Sequence, residues 1–439
     1  MGFYADKQTL EDLNIPGKYK PGSIYYLFNK VRTAGGERLL DQLFQYPLTN
    51  ATEINQRSSA FQYFFYQHLS FPVSAASFQI MENYLSIGTP GSYIATWGNI
   101  VTKKIQGVLV HDEGYQRQVD GLHTTILLLR ELQRFTQQLE PVTDNPWLDQ
   151  IFRLKTILHS KSLEWLMQTD DLPRSLQQVA RYHHLLHQVL QKEMEQLLNA
   201  VHLLDVLIAV SDVAREKQLG FAAALPESNS LIRLTSIRHP CLEKAVGNDM
   251  EMQGNTNLLF LAGANMAGKS TLMKSFGVAI YLAHMGFPVA AAKMEFSVCD
   301  GLFTSINVPD NLGQGYSHFY AEVLRIKTVA KAVSEGKRLV VIFDELFKGT
   351  NVKDAFDATL SVTKGFAWHQ HCFFMISTHI IEVGTALMES CPGAQFVYMP
   401  TLMEGRTPRY TYQLTQGITN DKQGMMIIEN EGILEMIRS

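Results

Sequence analysis

The stretch LAGANMAGKST, residues 261–271, decides how the second half of this 439-residue chain folds. It contains Gly-x-x-x-x-Gly-Lys-Ser from Gly263 to Ser270, between the apolar run NLLFLAG and the apolar stretch LMKSFGVAIYLAHMG. In a strand–loop–helix of this kind, backbone N–H groups of the loop and of the first helical turn point at phosphate oxygens. The pattern therefore predicts a phosphate-binding loop at the edge of an α/β sheet.

Every residue of this loop is a candidate for nucleotide binding: Gly263, Ala264, Asn265, Met266, Ala267, Gly268, Lys269, Ser270 and Thr271. Gly263 and Gly268 allow a tight turn, Lys269 can reach the outer phosphates of ATP, and the Ser270 hydroxyl can ligate Mg²⁺. The alternative is a chance match in a structural loop. The apolar strand before the motif and the helix after it argue against that alternative.

Two further apolar runs end in polar residues, as buried parallel strands do. They are RLVVIFDE, which ends in Asp344 and Glu345, and CFFMISTH, which ends in His379. Ligands bind at the carboxyl ends of strands in open α/β sheets. We predict that Asp344 holds Mg²⁺ through water, that Glu345 polarises the attacking water and that His379 senses the γ-phosphate. The alternative is that these polar groups only face solvent at the strand ends.

The first half of the chain reads as helix from about residue 24 to 217, with apolar residues at helical spacing. Residues 172–218 contain no breaker after Pro173 and predict one helix of roughly 60 Å. His183 and His187 share a face of it and could bind metal, but lack a third ligand, so we expect them to pack or face solvent. Residues 394–417 alternate around a glycine-containing turn and predict an antiparallel hairpin.

Composition is that of a globular protein, with 46% apolar and 18% charged residues. Residues 1–240 hold 22 Lys and Arg against 23 Asp and Glu, and residues 241–439 hold 16 against 19. Neither half has the basic balance of a dedicated nucleic-acid binder, although a local basic patch stays open. Four scattered cysteines, an N-terminus unlike a signal peptide and an apolar stretch interrupted by His284 and Pro288 favour a cytoplasmic chain with reduced thiols and no membrane partner.

The motifs resemble those of the MutS family of mismatch-repair ATPases. The similar ATPase segments are GANMAGKSTLMKS with its internal Asn-Met, SIRHPCLE, DNLGQGYSHFYAEVLRI, DELFKGT and STH. Residues 23–65 resemble the start of the family's helical lever domain, and LDVLIAVSDVAREKQLGF resembles the lever helix that descends into the ATPase. The resemblance covers most of residues 22–435.

This resemblance implies an α-helical lever or core domain followed by an α/β P-loop NTPase domain of the ABC type. The expected boundaries are an N-terminal tail at 1–22, the helical domain at 23–225 and the ATPase domain at 226–439. The family further implies a homodimer through the ATPase domain, in which Ser317 reaches the γ-phosphate bound by the other subunit and Asn265 lies near the hydrolytic water. Phe347 and Lys348 replace the family's Gly and Arg, and His318 replaces its Thr, which puts the coupling between subunits in question.

Family members that recognise mismatches carry a Phe-x-Glu motif in an N-terminal domain. Here Phe-x-Glu occurs only at residues 343–345, so we expect that domain to be absent. The lever region is also shorter than that of the family, so we expect the DNA-gripping clamp between its helices to be reduced or absent. The predicted function is ATP hydrolysis coupled to DNA binding in mismatch repair or a related transaction, with contacts to DNA shape or backbone and with repair proteins as partners. The alternative is an ATP-gated dimeric clamp or scaffold for protein partners. A transporter-type or chromosome-type ATPase fits the lever segments less well.

Overall fold

The protein is described by a computed structural model that covers residues 2–88, 92–110, 113–142, 144–168, 171–263, 266–306, 318–347, 350–404, 407–418 and 433–438. The chain divides into two compact units. We call one the sheet unit; it comprises Met1–Phe28, Phe44–Ser58 and Val213–Ser439. We call the other the helical unit; it comprises Asn29–Leu43 and Ser59–Asp212.

Helices dominate the chain up to residue 216, as predicted. They are α1 (Lys7–Asp12), α2 (Ile24–Phe28), α3 (Ala34–Gln45), α4 (Ala51–Gln67), α5 (Ala75–Leu85), α6 (Tyr93–Val110), α7 (Gly114–Thr136), α8 (Pro146–Leu158), α9 (Trp165–Gln168), α10 (Leu176–His184) and α11 (Gln191–Glu216). The later helices are α12 (Lys269–His284), α13 (His318–Ser334), α14 (Val352–Ala367), α15 (Ile381–Ser390) and α16 (Ile433–Arg438). Short 3₁₀ turns lie at Lys161–Leu163 and Glu227–Asn229.

Strands belong to the sheet unit. They are β1 (Tyr4–Ala5), β2 (Ala222–Leu225), β3 (Leu231–Ile237), β4 (Asn248–Gln253), β5 (Leu258–Gly263), β6 (Lys293–Ser297), β7 (Gly301–Ser305), β8 (Leu339–Asp344), β9 (Phe373–Ser377), β10 (Ala394–Met399), β11 (Thr401–Glu404), β12 (Thr407–Tyr410) and β13 (Thr415–Gln416). Among the described residues they form one sheet in the order β1-β7-β8-β9-β5-β10-β13, a second in the order β2-β6-β3-β4, and the hairpin β11-β12.

The larger sheet is parallel except at its last strand. β5, β8 and β9 are neighbours in it and run parallel, which confirms the interpretation of their apolar runs. β10 pairs parallel with β5, and only β13 pairs antiparallel, with β10. The antiparallel hairpin predicted for residues 394–417 is therefore confirmed only for β11 and β12. The carboxyl ends of β5, β8 and β9 meet at one edge, where ligands bind in such sheets.

The N-terminal residues take part in the sheet unit. β1 pairs parallel with β7, with Tyr4 opposite Gly301. Asp12 on α1 accepts hydrogen bonds from the Thr304 hydroxyl at 2.7 Å and from the Ile306 amide at 3.0 Å, and Asp6 forms an ion pair with Arg325. The compact units thus differ from the expected division, in which residues 1–22 formed a tail. Short elements with long-range partners leave no periodic pattern in the sequence.

The helical unit has a closely packed interior. α5 packs along α7, and at Gly121 a Cβ atom would lie 2.7 Å from the Tyr84 ring. Glycine at position 121 is therefore required by packing.

Side-chain caps begin several helices, including Ser74 before α5, Asn145 before α8 and a capping box at Ser175 before α10.

The predicted single helix over residues 172–218 is wrong in its middle. α10 ends at His184, a π-helical turn occupies Leu185–Val189, and α11 begins at Gln191. The Leu190 amide donates to the Leu185 carbonyl at 2.9 Å, so one extra residue enters this turn. A π-helical turn contains good helix-forming residues, and the sequence pattern therefore conceals it.

The two histidines beside this turn pack in the interior of the helical unit. The Tyr84 hydroxyl lies 2.7 Å from His183 Nδ1, and His187 Nε2 lies 2.8 Å from the Tyr84 carbonyl. Burial, reinforced by the neighbouring His187, lowers the pKa of His183 to about 3. Both rings thus serve packing around Tyr84, one of the two roles expected for them.

α11 is long and apolar enough by composition to cross a membrane, but 78% of its most apolar window is buried in the protein. Such burial is typical of a core helix. α12, which contains the apolar stretch after the glycine-rich loop, is likewise buried along almost its whole length, as expected.

Asp205 on α11 anchors the start of α3. Its carboxylate accepts the Arg32 amide at 2.9 Å, the Thr33 amide at 2.7 Å and the Thr33 hydroxyl at 2.8 Å. We expect Asp205→Ala to lower the free energy of unfolding by about 3 kcal/mol, because buried donors lose their acceptor. Urea unfolding followed by circular dichroism measures this loss. Glu195→Ala, an exposed acid on the same helix, should change stability by less than about 0.5 kcal/mol, and equal effects of the two variants would contradict the anchoring role.

Candidate functional site

The loop between β5 and α12 has a glycine in the left-handed region near each end. The φ angle is +139° at Gly263 and +103° at Gly268. A Cβ atom on Gly268 would lie 2.9 Å from the Tyr412 ring, so both backbone conformation and close approach require glycine there. Ala264 and Asn265 lie outside the described residues.

Lys269 is the first residue of α12 and lies across this loop. Its Nζ donates to the Gly263 carbonyl at 2.8 Å, and the residue is only 5% exposed. Met266 and Thr271 line the adjoining cavity, while Ala267 is buried beneath the loop. The lysine is therefore held at the position where the predicted phosphates would lie.

Asp344, the last residue of β8, receives hydrogen bonds from two hydroxyl groups. Ser270 donates from the start of α12, and Ser377 donates from the end of the neighbouring strand β9. Hydroxyl and carboxylate oxygens are the hard ligands that suit Mg²⁺. Ser270 and Asp344, the two predicted metal ligands, are thus in direct contact, and their oxygens fit this ion.

Glu345 and His379 lie side by side. Glu345 Oε1 is in direct contact with His379 Nε2, and the Glu345 amide donates to the Ser377 carbonyl at 3.0 Å. Glu345 adopts a left-handed φ of +59°, which is uncommon for a residue with a side chain. Its side chain is mostly buried, whereas that of His379 is more exposed. The predicted water-polarising acid and the predicted phosphate sensor therefore share one corner of the site.

A cavity of 630 Å³ opens beside these groups. Its lining includes Lys269, Ser270 and Glu345, the segment after β3, and also Met399 and Tyr412, which lie against Gly268. A volume of this size falls within the range of small-molecule sites. The cavity thus combines charged and polar groups suited to phosphates with apolar and aromatic groups suited to a ring.

The cavity is also lined by residues to which the sequence assigned no function. Asn248 on β4 donates from Nδ2 to the Tyr412 carbonyl at 3.0 Å and accepts the Leu414 amide at 2.7 Å. These bonds fix Tyr412, whose φ is +56°, against the cavity and close to Gly268. The contacts join residues more than 160 positions apart, so no local sequence signal predicts them.

His239 also lines the cavity. Burial, and then the nearby charge of Lys274, lower the pKa of His239. The Cys241 amide donates a hydrogen bond to His239 Nδ1 at 3.3 Å. Because Nδ1 is the acceptor, the neutral ring carries its proton on Nε2. A neutral imidazole is suited to contact an uncharged ring system.

The side chains of three residues in the family-like segments are not described. Ser317 lies outside the described residues, as does Lys348. His318 begins α13, but its side chain is not described. Their predicted roles stay predictions.

Two family models match the chain. The model for MutS domain III matches residues 8–211, and the model for MutS domain V matches residues 259–438. The chain belongs to the MutS family. Domain III is the core and lever domain of that family and domain V is its ATPase domain. MutS membership associates the chain with the ATPases of mismatch repair, and domain V contains the loop, β8, β9 and the cavity-lining Tyr412.

Proposed function

We propose that this MutS-family chain is a P-loop ATPase of the ABC type that hydrolyses ATP with Mg²⁺ and couples the hydrolysis to DNA binding. One observation carries the proposal: Lys269, Ser270, Asp344 and Glu345 converge at the carboxyl edge of the sheet, around one cavity. Cation, hydroxyl and carboxylates are the groups that phosphoryl transfer to water requires.

The phosphates bind at the start of α12. There Lys269 supplies a positive charge, and the first N–H groups of the helix supply hydrogen-bond donors. Ser270 and Asp344 would hold Mg²⁺, which neutralises charge on the phosphates when bound. The base is proposed to lie against His239 and Tyr412, which also line the cavity. This orientation places the terminal phosphate nearest to Glu345.

Glu345 orients and polarises the attacking water at that end of the nucleotide. The contact with His379 holds its carboxylate in place, and it gives His379 a position from which to register the γ-phosphate. Asn265 lies in the same loop and is proposed to contact the hydrolytic water. Departure of the γ-phosphate then changes the environment of His379, so the site distinguishes ATP from ADP.

A homodimer through domain V completes the proposed cycle. Ser317 is expected to reach the γ-phosphate of the opposite subunit, so ATP closes the dimer and hydrolysis opens it. The proposed domains remain a helical domain at 23–225 and an ATPase domain at 226–439, and the segment 1–22, predicted as a tail, packs on the sheet through β1 and α1. A cytoplasmic location and repair proteins as further partners complete the proposal.

DNA is the proposed macromolecular partner, contacted through its backbone and shape. A second candidate, a clamp or scaffold for proteins, is favoured by the balance of 22 basic against 23 acidic residues before residue 241. The salt dependence of DNA affinity separates the two candidates. Each DNA phosphate that the protein neutralises makes this affinity fall more steeply as salt rises. Fluorescence anisotropy with labelled duplex over a range of salt concentrations should show a steep negative slope. A flat slope with weak binding would favour the scaffold.

We further expect this chain to bind a G·T duplex and its matched control within about threefold of each other. Reading a mispair by stacking contributes on the order of 1–3 kcal/mol per base. In this chain the one Phe-x-Glu places Phe343 fully buried in β8 and Glu345 against His379, so neither side chain can reach a base. Backbone contacts position a protein without reading pairing.

Competition between the two duplexes at physiological salt measures this ratio, with a branched duplex as the control for shape recognition. Preference for the branched form agrees with the proposal. A tenfold preference for the mismatch would contradict it and require another recognition surface.

A further inference from the structure

α13 carries a buried acid that faces the loop after β8. Glu322 is 3% exposed, and its Oε1 accepts the Phe347 amide at 2.7 Å. A carboxylate is costly to bury unless charge-assisted hydrogen bonds compensate it. The Glu322 carboxylate is thus hydrogen-bonded to the loop that contains Glu345.

That loop adopts a conformation that its neighbours must enforce. Glu345 and Phe347 have φ angles of +59° and +63°, and a left-handed φ is an outlier for a bulky side chain. The similar family motif has glycine where this chain has Phe347, and glycine adopts such angles freely. In this chain the conformation at residue 347 therefore depends on contacts from outside the loop.

α13 supplies those contacts on one face. Glu322 binds the Phe347 amide, and Phe319, one turn earlier, contacts the Phe347 ring with centroids 5.9 Å apart. Phe347 is buried in the core beneath the helix together with Leu346, whose carbonyl lies 3.5 Å from the Thr359 hydroxyl. We call the Glu322–Phe347 hydrogen bond and the Phe319–Phe347 contact the loop latch.

We propose that Glu322 is a positioning residue for ATP hydrolysis: through the loop latch it holds Glu345 in place and transfers movement of α13 to it. The proposal rests on the hydrolytic function proposed for this site. α13 begins at His318, directly after the segment expected to meet the partner subunit, so the loop latch connects that segment to the hydrolytic acid by one helical turn and one hydrogen bond.

Three substitutions of Glu322 separate the effect of losing the hydrogen-bond acceptor from the effect of losing the charge. Glu322→Gln keeps the length and an oxygen acceptor, Glu322→Asp keeps the charge but withdraws the acceptor, and Glu322→Ala removes both. We expect single-turnover ATP hydrolysis to fall about tenfold or more in the Asp and Ala variants and to stay within about threefold of wild type in the Gln variant. ATP affinity, measured with a fluorescent analogue, should change less than about threefold in all of them. Glu335→Ala, which removes an exposed acid just after α13, is the matched control and should match wild type.

Hydrogen exchange of the Phe347 amide gives a readout that does not depend on activity. Without nucleotide, exchange should accelerate about tenfold or more in the Asp and Ala variants and stay near wild type in the Gln variant. If the Glu322→Ala variant does not fold, comparison of Glu322→Asp with Glu322→Gln still tests the loop latch. Wild-type hydrolysis in the Asp variant, or a Gln variant as impaired as Ala, would overturn the loop latch. A wild-type chain that binds no ATP would instead refute the proposed function, while amide exchange would still report on the hydrogen bond.

Discussion

Glu345→Gln should lower the rate of ATP hydrolysis by about 100-fold or more and leave ATP affinity within about threefold of wild type. Positioned acids and bases contribute on the order of 10²–10⁴ to a rate, and glutamine keeps the size of the side chain without its charge. Lys269, Ser270 and Asp344 remain in place, so the groups proposed to bind ATP and Mg²⁺ are unchanged. Phosphate release under single-turnover conditions measures the first quantity, and titration with a fluorescent ATP analogue measures the second.

Glu389→Gln, an exposed acid near the end of α15, is the control for this substitution and should hydrolyse ATP at the wild-type rate. If Glu345→Gln did so as well, the role assigned to Glu345 would be wrong. If it lost ATP affinity and hydrolysis together, Glu345 would contribute to binding rather than to the chemical step.

Lys269→Ala should weaken ATP binding by about 100-fold, and hydrolysis at low ATP concentration should fall with it. Truncating one partner of a buried charge pair costs about 2–5 kcal/mol, and 1.4 kcal/mol corresponds to a tenfold change in affinity. Lys269 is buried at the loop, where its Nζ lies beside the Gly263 carbonyl at the start of α12. Calorimetric titration with ATP and Mg²⁺ measures the loss.

Lys331→Ala, which removes an exposed lysine from α13, should leave ATP affinity unchanged. The melting temperature of both variants should be compared with wild type, because Lys269 also bonds the Gly263 carbonyl. Wild-type ATP affinity in a folded Lys269→Ala protein would refute the assignment of the phosphate site to this loop.

Much of the sheet unit was predictable from short stretches of sequence. β5, β8 and β9 are buried on both faces, and burial of this kind leaves an uninterrupted apolar run in the sequence. The polar residues that follow the runs then fall on one edge, because parallel strands end together. Asp344, Glu345 and His379 could therefore be grouped with the loop before their contacts were known.

Elements that depend on distant partners were not predictable in this way. The π-helical turn at Leu185–Val189 occurs beside contacts with Tyr84, about 100 residues away, and its own residues favour a regular helix. β1 and α1 are too short to show periodicity, yet both pack on β7. Their positions follow from tertiary hydrogen bonds, which a local pattern does not encode.

By itself the sequence determined the helical first half, the buried parallel strands, the glycine-rich loop with Lys269, and the family to which the motifs belong. Each of these depends on residues within one element, where periodicity and backbone preference act over a few positions. Only the tertiary structure decided that Tyr412 and Asn248 close the cavity beside Gly268, and that Glu322 holds the loop after Glu345. Those contacts join residues from 25 to more than 160 positions apart, and it is burial and hydrogen bonding between separate elements that bring them together.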